Sequence, residues 1–253
     1  MKAMTIKQVV VRITVIISVA ELLIMVALGH IPFHAGLYYE AVIDVTALIV
    51  LSTPPIYIWV ITPFVTARDE ALAQLTHLAH FDPLTQLANR RLFSMHLEKA
   101  LAGNVRHKDY GAVLLIDLDG FKQINDAHCH EAGDAVLIEI AERLRANARS
   151  ADIVARLGGD EFAVLINRLG ADSRVAREKA LRVGEKLISS LGTPLDFKGT
   201  KLNFGASIGI NLLDFEHPDI DTALRRADIA MYRAKQAGKR RAVIFDNTLH
   251  AES

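Results

Sequence analysis

Three acidic side chains occupy positions where metal-assisted chemistry on a nucleotide could take place. The apolar run Val113–Ile116 predicts a buried strand that ends at Asp117, and Gly158-Gly159 is followed directly by Asp160 and Glu161. If these two segments are neighbours, their carboxylates converge at one edge of a sheet. Hard divalent cations such as Mg²⁺ bind carboxylate oxygens together with substrate phosphates. From the spacing alone, the alternative is a tight Gly-Gly hairpin turn flanked by solvated acids.

Two lysines near the end of the last predicted helix could bind phosphate groups. Lys235 and Lys239 are four residues apart, so both ammonium groups project on one side of a helix that ends near Gly238. Such a pair of point charges suits a triphosphate. Taken alone, the spacing favours two ordinary solvated lysines at a helix end.

The segments around these residues alternate between helix and strand. Their hydrophobic periods predict an α/β fold, an α+β sandwich of roughly 170 residues, and the mixture of hairpins with helices argues against a doubly wound parallel sheet. The predicted helices are Arg90–Ala102, Asp134–Ala148, Ser173–Ser190 and Asp221–Ala237. The predicted strands are Val113–Asp117, Ile153–Leu157, Phe162–Ile166, Leu202–Ile210 and Val243–Phe245, with a turn near Lys198-Gly199.

Two apolar runs, at about residues 9–28 and 42–65, precede this part of the chain. Each is near the roughly 20 residues that cross a bilayer, so the sequence predicts two transmembrane helices. A cleaved signal peptide is the alternative for the first run, but no small-residue cleavage site precedes Ile31-Pro32-Phe33. We therefore predict a membrane anchor over residues 1–67, a signalling helix or linker over 68–81, and a globular domain over 82–253.

The distribution of charge predicts the orientation of the anchor. Lys2, Lys7 and Arg12 precede the end of the first run and Arg68 follows the second, whereas Gly29–Glu40 between them carries no Lys or Arg. Basic residues are retained on the cytoplasmic side, so both termini are predicted to be cytoplasmic.

Composition argues against two other kinds of site. The 29 basic and 29 acidic residues balance, so no surface for nucleic acid is predicted. The lone cysteine, Cys129, excludes an intrachain disulfide and is typical of a reducing compartment. His128 and His130 beside it cannot easily wrap one ion, and His30 with His34 lacks further ligands, so no zinc site is predicted.

Four motifs, in order along the chain, resemble those of the GGDEF-domain diguanylate cyclases. Arg156–Phe162 is the signature from which the family takes its name, and Asp82–Arg91 resembles its opening segment. Asp117–Asp126, followed by Gly133-Asp134, resembles its nucleotide-binding stretch, and Ala227–Lys239 resembles its closing helix. The resemblance implies a fold related to the polymerase palm and to the nucleotidyl cyclase core.

The same resemblance, which covers about Asp82–Asp246, implies an enzyme that joins two GTP molecules into cyclic di-GMP and releases pyrophosphate. The implied ligands of Mg²⁺ or Mn²⁺ are Asp117, Asp160 and Glu161, and the implied catalytic residues are Glu161, Asp160 and Lys122. The implied substrate-binding residues are Asn125, Asp134, Lys235, Lys239, Gly158 and Gly159. Each subunit of the family holds one GTP, so a homodimer is implied.

Regulation and location are also implied by the family. Arg149 and Asp152 match the register of an Arg-x-x-Asp site that binds the product, which implies inhibition by cyclic di-GMP; an exposed helix-end pair is the alternative. A bacterial inner (cytoplasmic) membrane crossed more than once, with the catalytic domain in the cytoplasm, is the implied location. A catalytically silent receptor for GTP or cyclic di-GMP is the alternative function, and a membrane adaptor acting by dimerisation is a third.

The sequence departs from the family pattern at four positions. Cys129 stands where relatives usually have Gly, so the turn is predicted to be strained if its backbone needs a positive φ. Gln86 and Ala88 replace a common Gly and Pro, and Arg240 replaces a common Asn. These last three are interpreted as peripheral.

Overall fold

The computed structural model describes residues 5–29, 37–215 and 219–246. The chain divides into two compact units, the first ending at His77 and the second beginning at Leu78. His30 and His34 lie outside the described residues.

The helices of the first unit expose most of their apolar surface. They are α1, Ile6–Gly29, α2, Leu37–Ile56, a π-helical turn at Tyr57–Ile61, and α3, Thr62–His80. Two stretches, Ile6–Leu28 and Tyr38–His80, are long and apolar enough to cross a membrane, and they enclose the two predicted spans. In the most apolar 18 residues of each stretch, only 17% and 11% of the residues are buried, which is unlike the core helix of a soluble protein.

A break in the regular hydrogen bonding of the second helix faces α1. Pro54-Pro55 supplies no amide hydrogen, and the π-helical turn follows, in which the amide of Thr62 donates to the carbonyl of Tyr57. Arg12 Nη1 donates to the carbonyl oxygen of Trp59 at 2.8 Å. The guanidinium of α1 therefore satisfies a carbonyl group in the irregular turn.

A mixed six-stranded sheet forms the centre of the second unit, with strand order β1-β3-β4-β2-β7-β8. Its strands are β1 Ala88–Asn89, β2 Tyr110–Asp119, β3 Ile153–Gly158, β4 Glu161–Gly170, β7 Gly205–Leu213 and β8 Ala242–Ile244, while β5 Leu195–Phe197 and β6 Thr200–Leu202 form a separate hairpin. The helices are α4 Arg90–His107, α5 Phe121–Asn147, α6 Ser173–Leu191 and α7 Ile220–Gln236. Strand β2 is antiparallel to β4 and β7, which confirms the predicted α/β fold with a mixed sheet.

Side chains of β2 alternate between two helical layers. Leu114 and Ile116 belong to the cluster formed with α5 and α6, whereas Val113 and Leu115 belong to the cluster formed with α4 and α7. Since successive side chains of a strand point to opposite faces, Asp117 lies on the face of α4 and α7.

Two elements differ from the sequence prediction. Helix α5 begins at Phe121 and not at Asp134, because its first half buries only Ile124 among the residues before Ala132 and so shows no apolar period. The predicted strand Leu202–Ile210 is interrupted, since Leu202 ends β6 and β7 begins at Gly205. Leu202 and Phe204 are buried and Asn203 between them is exposed, so the interruption itself keeps the alternation of a strand and was hidden from the pattern.

Gly209 allows α7 to lie directly on β7. A Cβ at this position would lie 2.0 Å from the carbonyl oxygen of Ala227 and 2.2 Å from the amide nitrogen of Met231. We expect Gly209→Ala to lower the free energy of unfolding by about 3 kcal/mol, measured by urea denaturation, because backbone atoms must move.

The matched control is Gly103→Ala in α4, where an added Cβ would meet nothing within 4 Å. This change should raise the free energy of unfolding by about 0.5–1 kcal/mol, since alanine is the better helix former. Similar effects of the two substitutions would contradict the tight contact of α7 with β7.

Candidate active site

The three predicted acids meet at one end of the β2–β4 ladder. Asp117 is directly opposite Glu161, and the amide of Leu118 donates to the carbonyl oxygen of Asp160 at 3.3 Å. The intervening turn has φ of 148° at Gly158 and 53° at Gly159, values that side chains disfavour. The glycines are therefore needed for the hairpin that brings the acids together.

Asp117 is the acid of this group whose charged form burial disfavours. Its side chain is 16% exposed, and its Oδ2 lies 2.7 Å from Nζ of Lys235 on α7. Burial raises the pKa of the Asp117 carboxyl, and although the hydrogen bond from Lys235 opposes this shift, the nearby charges of Asp160 and Asp119 add to it. The site therefore favours additional positive charge beyond that of Lys235.

Hard oxygen donors and excess negative charge fit a divalent cation. Within residues 5–29, 37–215 and 219–246, no three His, Cys, Asp or Glu side chains are arranged to hold a metal ion by themselves. Magnesium commonly takes one or two carboxylates and completes its shell with water and substrate phosphates. The arrangement of Asp117, Asp160 and Glu161 therefore fits a cation that arrives with a nucleotide.

The two residues predicted to read a base are brought together across a kink in α5. An added Cβ on Gly133 would lie 2.0 Å from Oδ1 of Asn125, so this side chain rests on the backbone beside Asp134. Asp134 is exposed, and Lys122 is exposed in the first turn of the same helix. An amide next to a carboxylate offers both donors and acceptors, as a guanine edge requires.

Arg156 ties the hairpin turn to the segment before α4. Its Nη1 lies 3.1 Å from Oδ1 of Asp82, and its Nη2 donates to the carbonyl oxygen of Gly159 at 2.8 Å. Burial alone would raise the pKa of Asp82, but hydrogen bonds from Thr85 and Arg156 outweigh it and the pKa is lowered. Sequence analysis missed this pair, because its members are 74 residues apart and no periodic pattern joins them.

Arg90 is a second contact of the hairpin that the sequence did not single out. Its Nη2 lies 3.4 Å from Oε2 of Glu161, with side chains that are 61% and 47% exposed, so the pair contributes little to stability. Both residues border a cavity of about 320 Å³ whose other walls include Leu157, Phe162 and Met231. Glu161 therefore stands at the rim of a partly apolar cavity.

Arg149 and Asp152 lie at the opposite end of β3 from the three acids. Asp152 Oδ2 accepts a hydrogen bond from the amide of Arg149 at 2.9 Å, and both residues line a groove of about 470 Å³ with His96 and Arg145. Strand β3 separates them from Gly158, and six residues of strand span about 20 Å. A ligand in this groove would therefore not overlap the acidic cluster.

Three of the departures from the family pattern have a left-handed backbone. Cys129 has φ 70° and ψ 167°, which confirms that this kink needs a positive φ, and Gln86 and Arg240 have φ of 56° and 47°. The amide of Arg240 donates to Oδ2 of Asp119 at 3.1 Å, a backbone contact that does not depend on whether Arg or Asn stands at this position. Gln86 likewise accepts a hydrogen bond from Arg145 through its carbonyl oxygen.

Residues 79–241 match the protein family described as "Diguanylate cyclase, GGDEF domain". The chain is 46% identical over 171 residues to diguanylate cyclase TpbB of Pseudomonas aeruginosa, which covers 66% of this chain and 38% of TpbB. It is 40% identical over 190 residues to the bifunctional diguanylate cyclase/cyclic di-GMP phosphodiesterase MucR of the same species, which covers 74% and 27%. The chain thus spans less than two fifths of the length of these relatives.

Solved structures share the fold of the second unit. The GGDEF domain of TpbB matches with a TM-score of 0.62 and 42% identity, covering 67% of this chain and 96% of that domain. The coiled coil and GGDEF domain of DgcB from Caulobacter crescentus, in complex with cyclic di-GMP, matches with a TM-score of 0.64 and 27% identity, covering 71% and 93%.

The backbone at Cys129 yields a prediction about stability. Its φ and ψ lie in a region populated almost only by glycine, at a cost of about 1–3 kcal/mol for other residues. We expect Cys129→Gly to raise the free energy of unfolding by about 1 kcal/mol in thermal or urea denaturation. Cys129→Ala removes the thiol but keeps Cβ and should give no gain, so equal stabilisation by both changes would contradict the strain.

Proposed function

The chain belongs to the GGDEF diguanylate cyclase family, and we propose from this that it joins two GTP molecules into cyclic di-GMP and two pyrophosphates. The observation that carries the proposal is the convergence of Asp117, Asp160 and Glu161 beside the ammonium group of Lys235. A protein that only binds a nucleotide does not require a desolvated carboxylate facing other acids, because such a group costs stability.

The reaction needs two displacements at phosphorus. The 3′-hydroxyl oxygen of one GTP attacks the α-phosphorus of the other, the bond to the β-phosphate oxygen breaks, and pyrophosphate leaves. The reciprocal attack closes the ring. Asp117, Asp160 and Glu161, together with the substrate phosphates, would hold Mg²⁺ or Mn²⁺, which would supply positive charge that stabilises the charge developing on the phosphates.

Side chains of this protein bind and orient the substrate. Lys235 and Lys239 bind the triphosphate, and Lys122 faces the phosphates from the first turn of α5. Asn125 and Asp134 recognise the guanine, since the carboxylate accepts from its imino and amino hydrogens and adenine lacks that pattern. Catalysis then depends mainly on alignment and charge, with Glu161 available to take the proton of the attacking hydroxyl.

A homodimer and a membrane anchor complete the proposal. Each domain holds one GTP, so a two-fold pair brings two substrates face to face. Exposed leucines Leu72, Leu75 and Leu78 on α3 support pairing through this helix, since they are 52–64% exposed in the single chain. The two long apolar helices support anchoring in the membrane, with the catalytic domain in the cytoplasm.

Synthesis by the full chain in detergent micelles, with GTP and Mg²⁺, tests the activity. We expect cyclic di-GMP from the parent, detected by mass, and a loss of at least about a hundredfold in Asp160→Ala and Glu161→Ala, which remove groups that act on the transition state. The melting temperature should change little, because neither side chain belongs to the buried core.

Glu131→Ala is the matched control, because this exposed acid pairs only with Lys198 in the described structure, away from the β3–β4 hairpin. Product formation by both active-site variants at the parental rate would contradict the metal-site assignment. GTP binding by the parent without any product would identify a silent receptor, which is the alternative function.

Product inhibition through Arg149 and Asp152 is part of the proposal. The guanidinium of Arg149 is exposed in the groove beside β3, where it could bind a phosphate or the O6/N7 edge of guanine. Added cyclic di-GMP should therefore inhibit the parent non-competitively with GTP, and Arg149→Ala should raise the inhibitory concentration at least about tenfold, the loss of one charge-assisted contact.

Arg174→Ala provides the control, since the Arg174 side chain is 89% exposed on α6 and its ion pair within the described residues is with Glu178 at 4.0 Å. Inhibition of the parent and Arg149→Ala at the same concentration of product would contradict the assignment of this site.

A further inference from the structure

The turn after α7 has an unusual backbone. Gly238, Lys239 and Arg240 have φ of 105°, 64° and 47°, three successive left-handed residues of which two carry side chains. Each such side chain costs about 1 kcal/mol or more, so the conformation persists only where other contacts impose it. The amide of Lys239 still donates to Ala234 at the helix end, at 3.0 Å.

The contact beyond the helix is made by Asp119, the last residue of β2. Its Oδ2 accepts from the amide of Arg240 at 3.1 Å, and its Oδ1 accepts from Oγ of Ser207 at 2.9 Å. Ser207 is completely buried on β7, and Asp119 is paired with Gly205 in the same ladder. Both carboxylate oxygens are thus engaged, one by a fixed hydroxyl and one by the turn.

The side chain of Arg240 does not carry this contact. It extends across Gly205, where an added Cβ would lie 2.6 Å from its Cγ, and its Nη2 donates to the carbonyl oxygen of Phe204 at 3.5 Å. Because Asp119 binds the backbone amide, the contact is independent of the side chain present at position 240. Asparagine, which tolerates the left-handed region well, would keep it.

We infer that Asp119 is a positioning residue which, together with Ser207, fixes the left-handed turn that presents Lys239 to the triphosphate. The end of α7 is then attached to β2 at two points, by Lys235 to Asp117 and by the amide of Arg240 to Asp119. The inference rests on the proposed function, in which Lys239 binds phosphate. The inference gives the two acids of β2 different roles: Asp117 is a metal ligand, and Asp119 positions the turn at Gly238–Arg240.

This role predicts a selective loss. Lys239 serves the phosphates and not the base, so a displaced turn weakens GTP binding and leaves GMP binding nearly unchanged. With the full chain in detergent, we expect Asp119→Ala to weaken binding of a non-hydrolysable GTP analogue about tenfold, the effect of one charge-assisted contact, while GMP affinity changes less than about twofold. Ser207→Ala should give a smaller loss in the same direction.

Asp119→Asn distinguishes positioning from metal binding. The carboxamide can accept from the amide of Arg240 and donate to Oγ of Ser207, so this variant should retain most of the affinity for the GTP analogue. The Mg²⁺ concentration for half-maximal activity should be the same in Asp119→Asn as in the parent. If Asp119→Asn behaves like Asp119→Ala and needs more Mg²⁺, Asp119 is a metal ligand and the inference is wrong.

Asp109→Ala is the matched control at the other end of β2. Asp109 Oδ1 accepts from the amides of Tyr110 at 3.0 Å and Gly170 at 2.7 Å, so it also anchors a turn through backbone groups. Its loss should lower the melting temperature without changing the ratio of GTP-analogue to GMP affinity. Equal weakening of both nucleotides by Asp119→Ala, or an unchanged ratio, would overturn the inference even if the parent makes cyclic di-GMP. A selective loss in a parent that makes none would uphold the inference and refute the proposed activity.

Discussion

The position of β2 between two helical layers is the constraint on which the site depends. From Gly111 to Ile116 the strand is buried on both faces, and its neighbours β4 and β7 fix its register along its whole length. The continuous buried run ends at Ile116, and Asp117 and Asp119 follow on the face of α4 and α7, while Leu118 between them stays buried on the other face. The packing that buries the strand therefore also holds the carboxylates of Asp117 and Asp119 at a defined edge of the sheet. Without that packing, neither carboxylate would lie close to other acids.

The negative charge of the acids at the end of β2 lowers the stability of the second unit. Burial raises the pKa of Asp117, and a single ammonium group from α7 does not offset the combined effect of burial and the neighbouring acids. In contrast, Asp82 is stabilised in its charged form by Thr85 and Arg156, and it serves to anchor the hairpin. The two aspartates show how environment shifts the pKa of similar side chains in opposite directions.

Much of the fold could be predicted from periodicity, because β2, β4 and the outer helices bury regular stripes. The first half of α5 escaped detection, since it is largely exposed and its role is to carry Asn125 over Gly133. Motif resemblance implied the acids and lysines of the candidate site, and the three acids and Lys235 do lie near one another. It could not reveal the Arg156–Asp82 pair or the contact of Asp119 with the turn, because partners distant in sequence are selected by strand register, which a single sequence does not encode locally.

The π-helical turn at Tyr57–Ile61 sets the angular phase of the helix that follows it. Such a turn closes its hydrogen bond over one more residue than an α-helical turn, and each residue of an α-helix advances the side-chain direction by about 100°. The leucines of α3 therefore point about a quarter of a revolution away from where an uninterrupted helix would direct them. The hydrogen bond from Arg12 to Trp59 is made to a carbonyl of this turn. The direction in which Leu72, Leu75 and Leu78 point is thus determined by the backbone hydrogen bonds of the five residues of this turn. A return to α-helical bonding there would rotate these leucines around the helix axis and shift them along it by only about 1.5 Å.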